Sequence, residues 1–310
     1  MSFAFKDEVG RSVEYLTSHL AQDSIQQDPY WPKWDSPWWH MTLLWEMGLA
    51  ELIPKSAVDA MVDAFRSRYL TFFPLRFDLL PPEIDTRRHV VCHCAVGTMY
   101  QVLSACEIEV DEELPWMRPW FFRYQLPDGG LNCDEEAYTK ATPKSSIVST
   151  LPPLEAVLFS TGRDFDFEEV EFLDRGAEYL IDHRLYRSVT SGEVTVPEWL
   201  DLCFPRFYMY DVLRGLRFLA RWAVVRGRSL PQTLVDEASE EIRKSLTAAG
   251  LVPGRRPWIG ETTLMLGEDG EWSDKAESRF SLLEAVSRTD AVSPNLTGLW
   301  EAVEADLAQL

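Results

Sequence analysis

Apolar residues recur at helical spacing through most of the chain. Val9, Val13, Leu16 and Leu20 lie four, three and four apart, which predicts a helix over 6–20 with one apolar stripe. Ser36-Pro37 starts a second over 37–48, because Ser caps and Pro fits the first helical position. Pro54 and Ser56 open a third, over 56–70, with Val58, Met61, Val62 and Phe65 on one face. Residues 71–84 form a proline-broken connection. The pattern then predicts long, mostly apolar helices over 86–106, 145–160 and 208–226. Amphipathic helices are predicted over 167–183 and 232–249, and a helix interrupted at Pro119 over 112–124. The Gly/Pro-rich stretch 251–272 suits a short hairpin. Ser273 reads as the cap of a helix through 286, and Ser293-Pro294 starts the last helix.

Helices apolar nearly all round thus alternate with helices apolar on one stripe. That is the pattern of a double layer, in which outer helices cover inner ones. HMTLLWEMGL, CAVGTMYQVL, STLPPLEAVL, YDVLRGLRFL and RFSLLEAVSR align as a loose repeat of roughly 50–70 residues. A ring closes such an array without end caps. The expectation is an all-α, double-layer α/α toroid of helical-hairpin repeats, one domain over 1–310, with about ten or more helices.

Composition narrows the function. The 310 residues carry 30 Lys plus Arg against 50 Asp plus Glu, a formal charge of −20. Such a surface repels phosphate backbones, and Arg184, Arg187, Arg206 and Arg214 are dispersed, so no nucleic-acid partner is expected. No run is long and apolar enough to span a bilayer, and MSFAFKDEVGRSVEYL does not read as a secretory signal. Five cysteines, Cys92, Cys94, Cys106, Cys133 and Cys203, are an odd number and point to reduced thiols and a cytoplasmic location.

QLPDGGLNC at 125–133 resembles the repeat motif of the prenyltransferase and squalene-cyclase superfamily, with Leu131 in the place usual for Trp. GEDGEW at 267–272 looks like a second, degenerate copy. The stretches 183–194 and 204–216 also resemble bacterial members. The resemblance implies an α/α toroid whose central cavity takes an isoprenoid-like or other apolar substrate. Two motifs of the superfamily are incomplete. DFDFEE at 164–169 has Phe at the third place of the cyclases' acidic motif and reads as a helix start. The Asp, Cys and His zinc set of the protein prenyltransferases finds Cys133 with Asp128 or Asp134, while Tyr208 stands near the place of the His.

Several constellations bear on chemistry. Asp128-Gly129-Gly130 suits a tight turn tied by its Asp side chain. Cys133 and His183 are candidate zinc ligands, although a packed thiol and a surface histidine explain them as well. His89, Cys92 and His93 share a face of the helix predicted over 86–106, on which Cys94 points elsewhere. Tyr208, Tyr210 and Asp211 open a buried helix. There Asp211 and Tyr210 are the candidate proton-handling groups, with helix capping the alternative for Asp211. Ser145, Ser146 and Ser149 read as capping residues. Trp34, Trp38, Trp39 and Tyr208 are candidate substrate-binding residues, since aromatic faces stabilise cations, with core packing the alternative. The expectation is an enzyme acting by cyclisation or transfer on a prenyl-type or other apolar small molecule. The alternative is a non-catalytic toroid that binds a lipid or a protein. With a nitrogen ligand missing, purified protein is expected to carry little or no zinc.

Overall fold

The computed structural model describes residues 5–258 and 260–310. Thirteen α-helices and two small antiparallel hairpins lie among them, so the protein is mainly helical. The helix expected over 6–20 is two: α1 (Lys6–Thr17) and α2 (His19–Gln27). Ser18 is extended between them, and its hydroxyl accepts from the Ala21 amide at 3.3 Å to start α2. Next come α3 (Pro37–Glu46), which begins at Pro37 as the sequence suggested, and α4 (Lys55–Ser67).

The helix expected over 86–106 begins seven residues late, as α5 (His93–Ala105). Asp85 holds the chain before it in a turn, accepting from the amides of Arg87 and Arg88 while its own amide donates to His89 Nδ1 at 3.0 Å. Two short helices follow, α6 (Val110–Glu113) and α7 (Met117–Arg123). Pro119 falls in the first turn of α7, where no intrahelical donor is needed.

Then come α8 (Ile147–Ser160) and α9 (Phe167–Asp182), the second opened by a capping box between Asp166 and Glu169. DFDFEE is therefore a helix start. After α10 (Val212–Arg226) and α11 (Gln232–Arg243) come a two-residue hairpin, β1 (Leu246–Thr247) with β2 (Gly250–Leu251), and a longer one, β3 (Thr262–Leu266) with β4 (Trp272–Ala276). GEDGEW closes the second hairpin instead of joining two helices, and Ser273 lies in β4. The helix expected to start at Ser273 is the shorter α12 (Ser281–Val286), and α13 (Pro294–Leu307) starts at the Ser293 cap.

The core is one connected cluster of buried apolar side chains that draws on nearly every helix. Its tightest seam is between α5 and α8. A Cβ on Gly97 would sit 2.4 Å from the Pro153 nitrogen and 2.8 Å from the Pro152 carbonyl oxygen. Gln101, one turn on, donates to the carbonyls of Gly97 at 3.1 Å and Pro152 at 3.3 Å. The helix α3 is buried on most sides. Its His40 ring stacks on Phe280 at 3.6 Å and lies 4.5 Å from Tyr15 of α1, and burial pushes its pKa down to about 3.

Two outcomes are expected. Gly97→Ala forces backbone apart and lowers the unfolding free energy by about 1–3 kcal/mol, whereas Gly10→Ala, with open space around it, is neutral or mildly stabilising; denaturant titration checks both. For His40, the unfolded chain takes up a proton near pH 6.5 that the folded one refuses. Stability present above pH 6.5 is therefore lost as the pH falls toward 3. Relative to His40→Phe, the wild type should lose up to ~1.4 kcal/mol per pH unit across that window.

Candidate functional site

The loop between α7 and α8 is laced to the start of α8. Asp128 accepts from the Gly130 amide and from both the amide and hydroxyl of Ser145, so it ties the turn as its sequence suggested. Leu131 donates its amide to Thr150 Oγ1 at 2.8 Å, Ser146 donates to the Leu131 carbonyl at 2.8 Å, and Cys133 donates to Ser149 Oγ at 3.0 Å. These bonds leave the Cys133 thiol facing the start of α5. There Cys92 is the residue that caps α5, with Cys94 in its first turn.

Three thiols meet at this point. Cys92 Sγ lies 3.1 Å from Cys94 Sγ, Cys94 Sγ lies 3.7 Å from Cys133 Sγ, and all three fall within 4.8 Å of one another. Each residue is partly buried. Thiol hydrogen bonds from Cys133 and Cys94 hold Cys92 well below the ordinary thiol range, and the Ala95 amide at the helix start adds to this. Cys94 and Cys133, which share their protons with it, are raised. One sulfur thus ionises first, beside the positive end of a thirteen-residue helix.

The residue between the two α5 cysteines points the other way. Trp120 Nε1 donates to His93 Nδ1 at 2.6 Å, so the remaining proton sits on Nε2 and faces the Tyr138 hydroxyl at 3.0 Å. Tyr138 in turn donates to the Tyr124 carbonyl at 3.0 Å. His93 is buried and held neutral by desolvation, with its pKa lowered to about 4. His89 lies outside the helix, in the Asp85 turn. The face expected to carry His89, Cys92 and His93 therefore does not exist, and Cys94, expected to point away, is a member of the cluster.

Against Cys94 lies a cavity of about 10 Å³, lined by Tyr30, Trp38, Trp39, Thr42, Ala95, Thr98, Phe207 and Tyr208. Trp38, Trp39 and Tyr208, three of the four expected substrate-binding residues, are thus together. Trp34 lies instead on an outer cleft of about 230 Å³ that shares Tyr208 with the cavity. Lys33 sits in that cleft, its ammonium 3.1 Å from the Tyr208 hydroxyl and 5.0 Å from the centre of the ring. The loop carrying Phe207 and Tyr208 is fixed from beneath. Glu46 of α3 accepts from the Arg206 and Phe207 amides, and Arg214 of α10 donates to the carbonyls of Phe207 and Met209 while it pairs with Glu155 of α8.

The other expected residues stand apart. Asp211 caps α10, accepting from the Arg214 amide at 2.8 Å and the Cys203 amide at 3.3 Å. Tyr210 is buried and donates to the Leu185 carbonyl at 2.9 Å. His183 does not reach Cys133: its Nδ1 bonds the Arg187 carbonyl at 2.9 Å and its ring packs on Tyr179. Asp134 accepts from the Glu136 amide and is not part of the thiol group. No family model matches the chain, and no curated protein or solved structure matches it.

In reduced, chelator-treated protein near pH 7, iodoacetamide should label Cys92 ahead of Cys106, whose thiol burial pushes up to about 11. Peptide mass spectrometry reads the order. Cys106 reacting first would contradict the assignment of the ionised sulfur.

Proposed function

We propose that the chain is an enzyme for an apolar substrate, with a zinc ion held by Cys92, Cys94 and Cys133 as its reactive centre. The observation that carries this is the meeting of three thiols beside an aromatic-walled cavity. Sulfur donors suit zinc, and two sulfurs each about 2.3 Å from a tetrahedral ion lie roughly 3.8 Å apart. The 3.7 Å between Cys94 and Cys133 fits that spacing, and the 3.1 Å between Cys92 and Cys94 needs only a side-chain adjustment. Three protein ligands and a free fourth place are the arrangement of catalytic rather than structural zinc. When bound, the ion supplies Lewis acidity at that place. The residues do the rest: the α5 start stabilises the thiolates, and Trp38, Trp39 and Phe207 keep water out.

This ligand set replaces the Cys133 and His183 pair and reverses the expectation of little or no zinc. It also moves the reactive centre away from Asp211 and Tyr210, whose polar atoms are committed to the fold. The double-layer ring, the isoprenoid-like substrate and a reducing, cytoplasmic setting belong to the same proposal, supported by the alternation of helices, the motif at 125–133 and the free thiols.

Elemental analysis of freshly purified protein tests the centre. About one zinc per chain is expected, lost in Cys94→Ser and Cys133→Ala and kept in Cys106→Ser. Metal-free protein with three reduced thiols sinks it. Incubation with prenyl diphosphates and polyprenes tests the substrate class, with any turnover lost in Cys94→Ser. The use of the 164–169 acids as a helix start and of Asp211 as a helix cap favours a second reading, a non-catalytic protein that binds a lipid or a protein partner. A lipid seen in native mass spectra without turnover supports that reading.

A further inference from the structure

Thr98 lies one helical turn beyond Cys94, on the same face of α5. It is 3% exposed, and its hydroxyl has no hydrogen-bond partner. A buried threonine in a helix ordinarily returns its hydroxyl to the carbonyl four residues back, as Thr42 does to Trp38 at 2.8 Å and Thr150 to Ser146 at 2.7 Å. Thr98 does not. It lines the same small cavity as Cys94. Buried polar groups are rarely left unmatched, and each exception calls for an unseen partner.

The cavity is about 10 Å³, close to the room that one water-sized species needs. The polar residues on its lining besides Cys94 and Thr98 are Thr42, whose hydroxyl already donates to a backbone carbonyl and keeps its acceptor capacity, and the tyrosines Tyr30 and Tyr208. Most of the remaining wall is aromatic. Of the three cysteines Cys94 is the one on this lining, so a species held there has Cys94 and Thr98 as neighbours.

Resting on the zinc reading above, we infer that Thr98 is the positioning residue for a small neutral oxygen donor that takes the fourth place on the centre. The threonine hydroxyl both donates and accepts, so it orients a hydroxyl-bearing group without adding charge. Charge matters at this point, because three thiolates already outweigh a divalent ion by one negative unit. A neutral group is therefore favoured over an anion in that place, and a neutral orienting residue fits it where a carboxylate would not. The ligand class that follows is a small alcohol or water, admitted on the side of Tyr208.

X-ray absorption of the zinc-loaded wild type, with a crystal structure of the same material, tests the inference. Expected are three sulfur ligands at about 2.3 Å, one light or exogenous donor, and that donor within hydrogen-bond reach of Thr98 Oγ1. A fourth protein ligand, or a donor that makes no contact with Thr98, overturns it. Cobalt substitution gives a second readout. Thr98→Val should leave the sulfur-to-cobalt charge-transfer band of the wild type in place and change the visible ligand-field bands, while Thr98→Ser restores the wild-type spectrum. Identical ligand-field bands in wild type and Thr98→Val overturn the inference and leave the zinc reading standing. No charge-transfer band in the wild type removes the zinc reading itself, and this inference with it.

Discussion

The backbone contact between α5 and α8 at Gly97 is the constraint on which the candidate site depends. Gly97 has no side chain to hold the helices apart, and the facing surface is the backbone of Pro152 and Pro153. Two successive prolines inside a helix are costly, because neither nitrogen can donate to the preceding turn. Here they leave a smooth, donor-free ridge into which a glycine can settle. Gln101 supplies donors from the opposite helix, to one carbonyl on each side of the seam. The register of α5 on α8 is thereby set to within one residue. That register decides the site, because Cys92 and Cys94 lie at the start of α5 and Cys133 is bonded to the first turn of α8.

The opposite wall of the cavity is set by charge. Glu155 and Arg214 are both fully buried and form a two-pronged pair, and Glu46 accepts from the amides of Arg206 and Phe207. Desolvation of such groups offsets most of their attraction, so the network is poor evidence for stability as such. Its structural effect is specificity: three helices, α3, α8 and α10, grip one loop and present Phe207 and Tyr208 at a fixed height. Removing a single partner would leave an uncompensated buried charge, which is the expensive case.

The helical character of most segments was legible because periodicity reports burial, and burial is averaged over many residues. Single boundaries were not. The apolar run through Val90 and Val91 continues the pattern of α5, yet those two residues lie outside the helix, because the Asp85 side chain takes the amides of Arg87 and Arg88 before a helix can form. That shift of seven residues changed the chemistry. On a continuous helix Cys94 turns away from Cys92, whereas at a helix start the capping residue bends back and the two sulfurs meet. The spacing Cys-x-Cys was the available signal, while His93 between the two is held in the core by the indole of Trp120 and the phenol of Tyr138. Cys133 was legible as a candidate from its motif. Its partners were not, because loop-to-helix contacts across forty residues leave no periodic trace.

The walls around the thiols are unequal, and this bears on what can reach them. Trp38 and Trp39 are buried, and the Trp39 indole donates to the Tyr30 carbonyl, so moving either disrupts the core. Thr98 is fixed by the α5 backbone. Tyr208 is only partly buried, and its hydroxyl is held by Lys33, a residue of the outer cleft. Local opening follows the least buried and least bonded element. The side of the cavity that opens with the smallest loss is therefore the side facing the cleft, which contains Lys33 and the Trp31 and Trp34 rings. A molecule larger than one water must displace Tyr208, and what it meets on the way is a cleft of aromatic rings with Lys33 among them and the acidic residues Asp274 and Glu277 beside it.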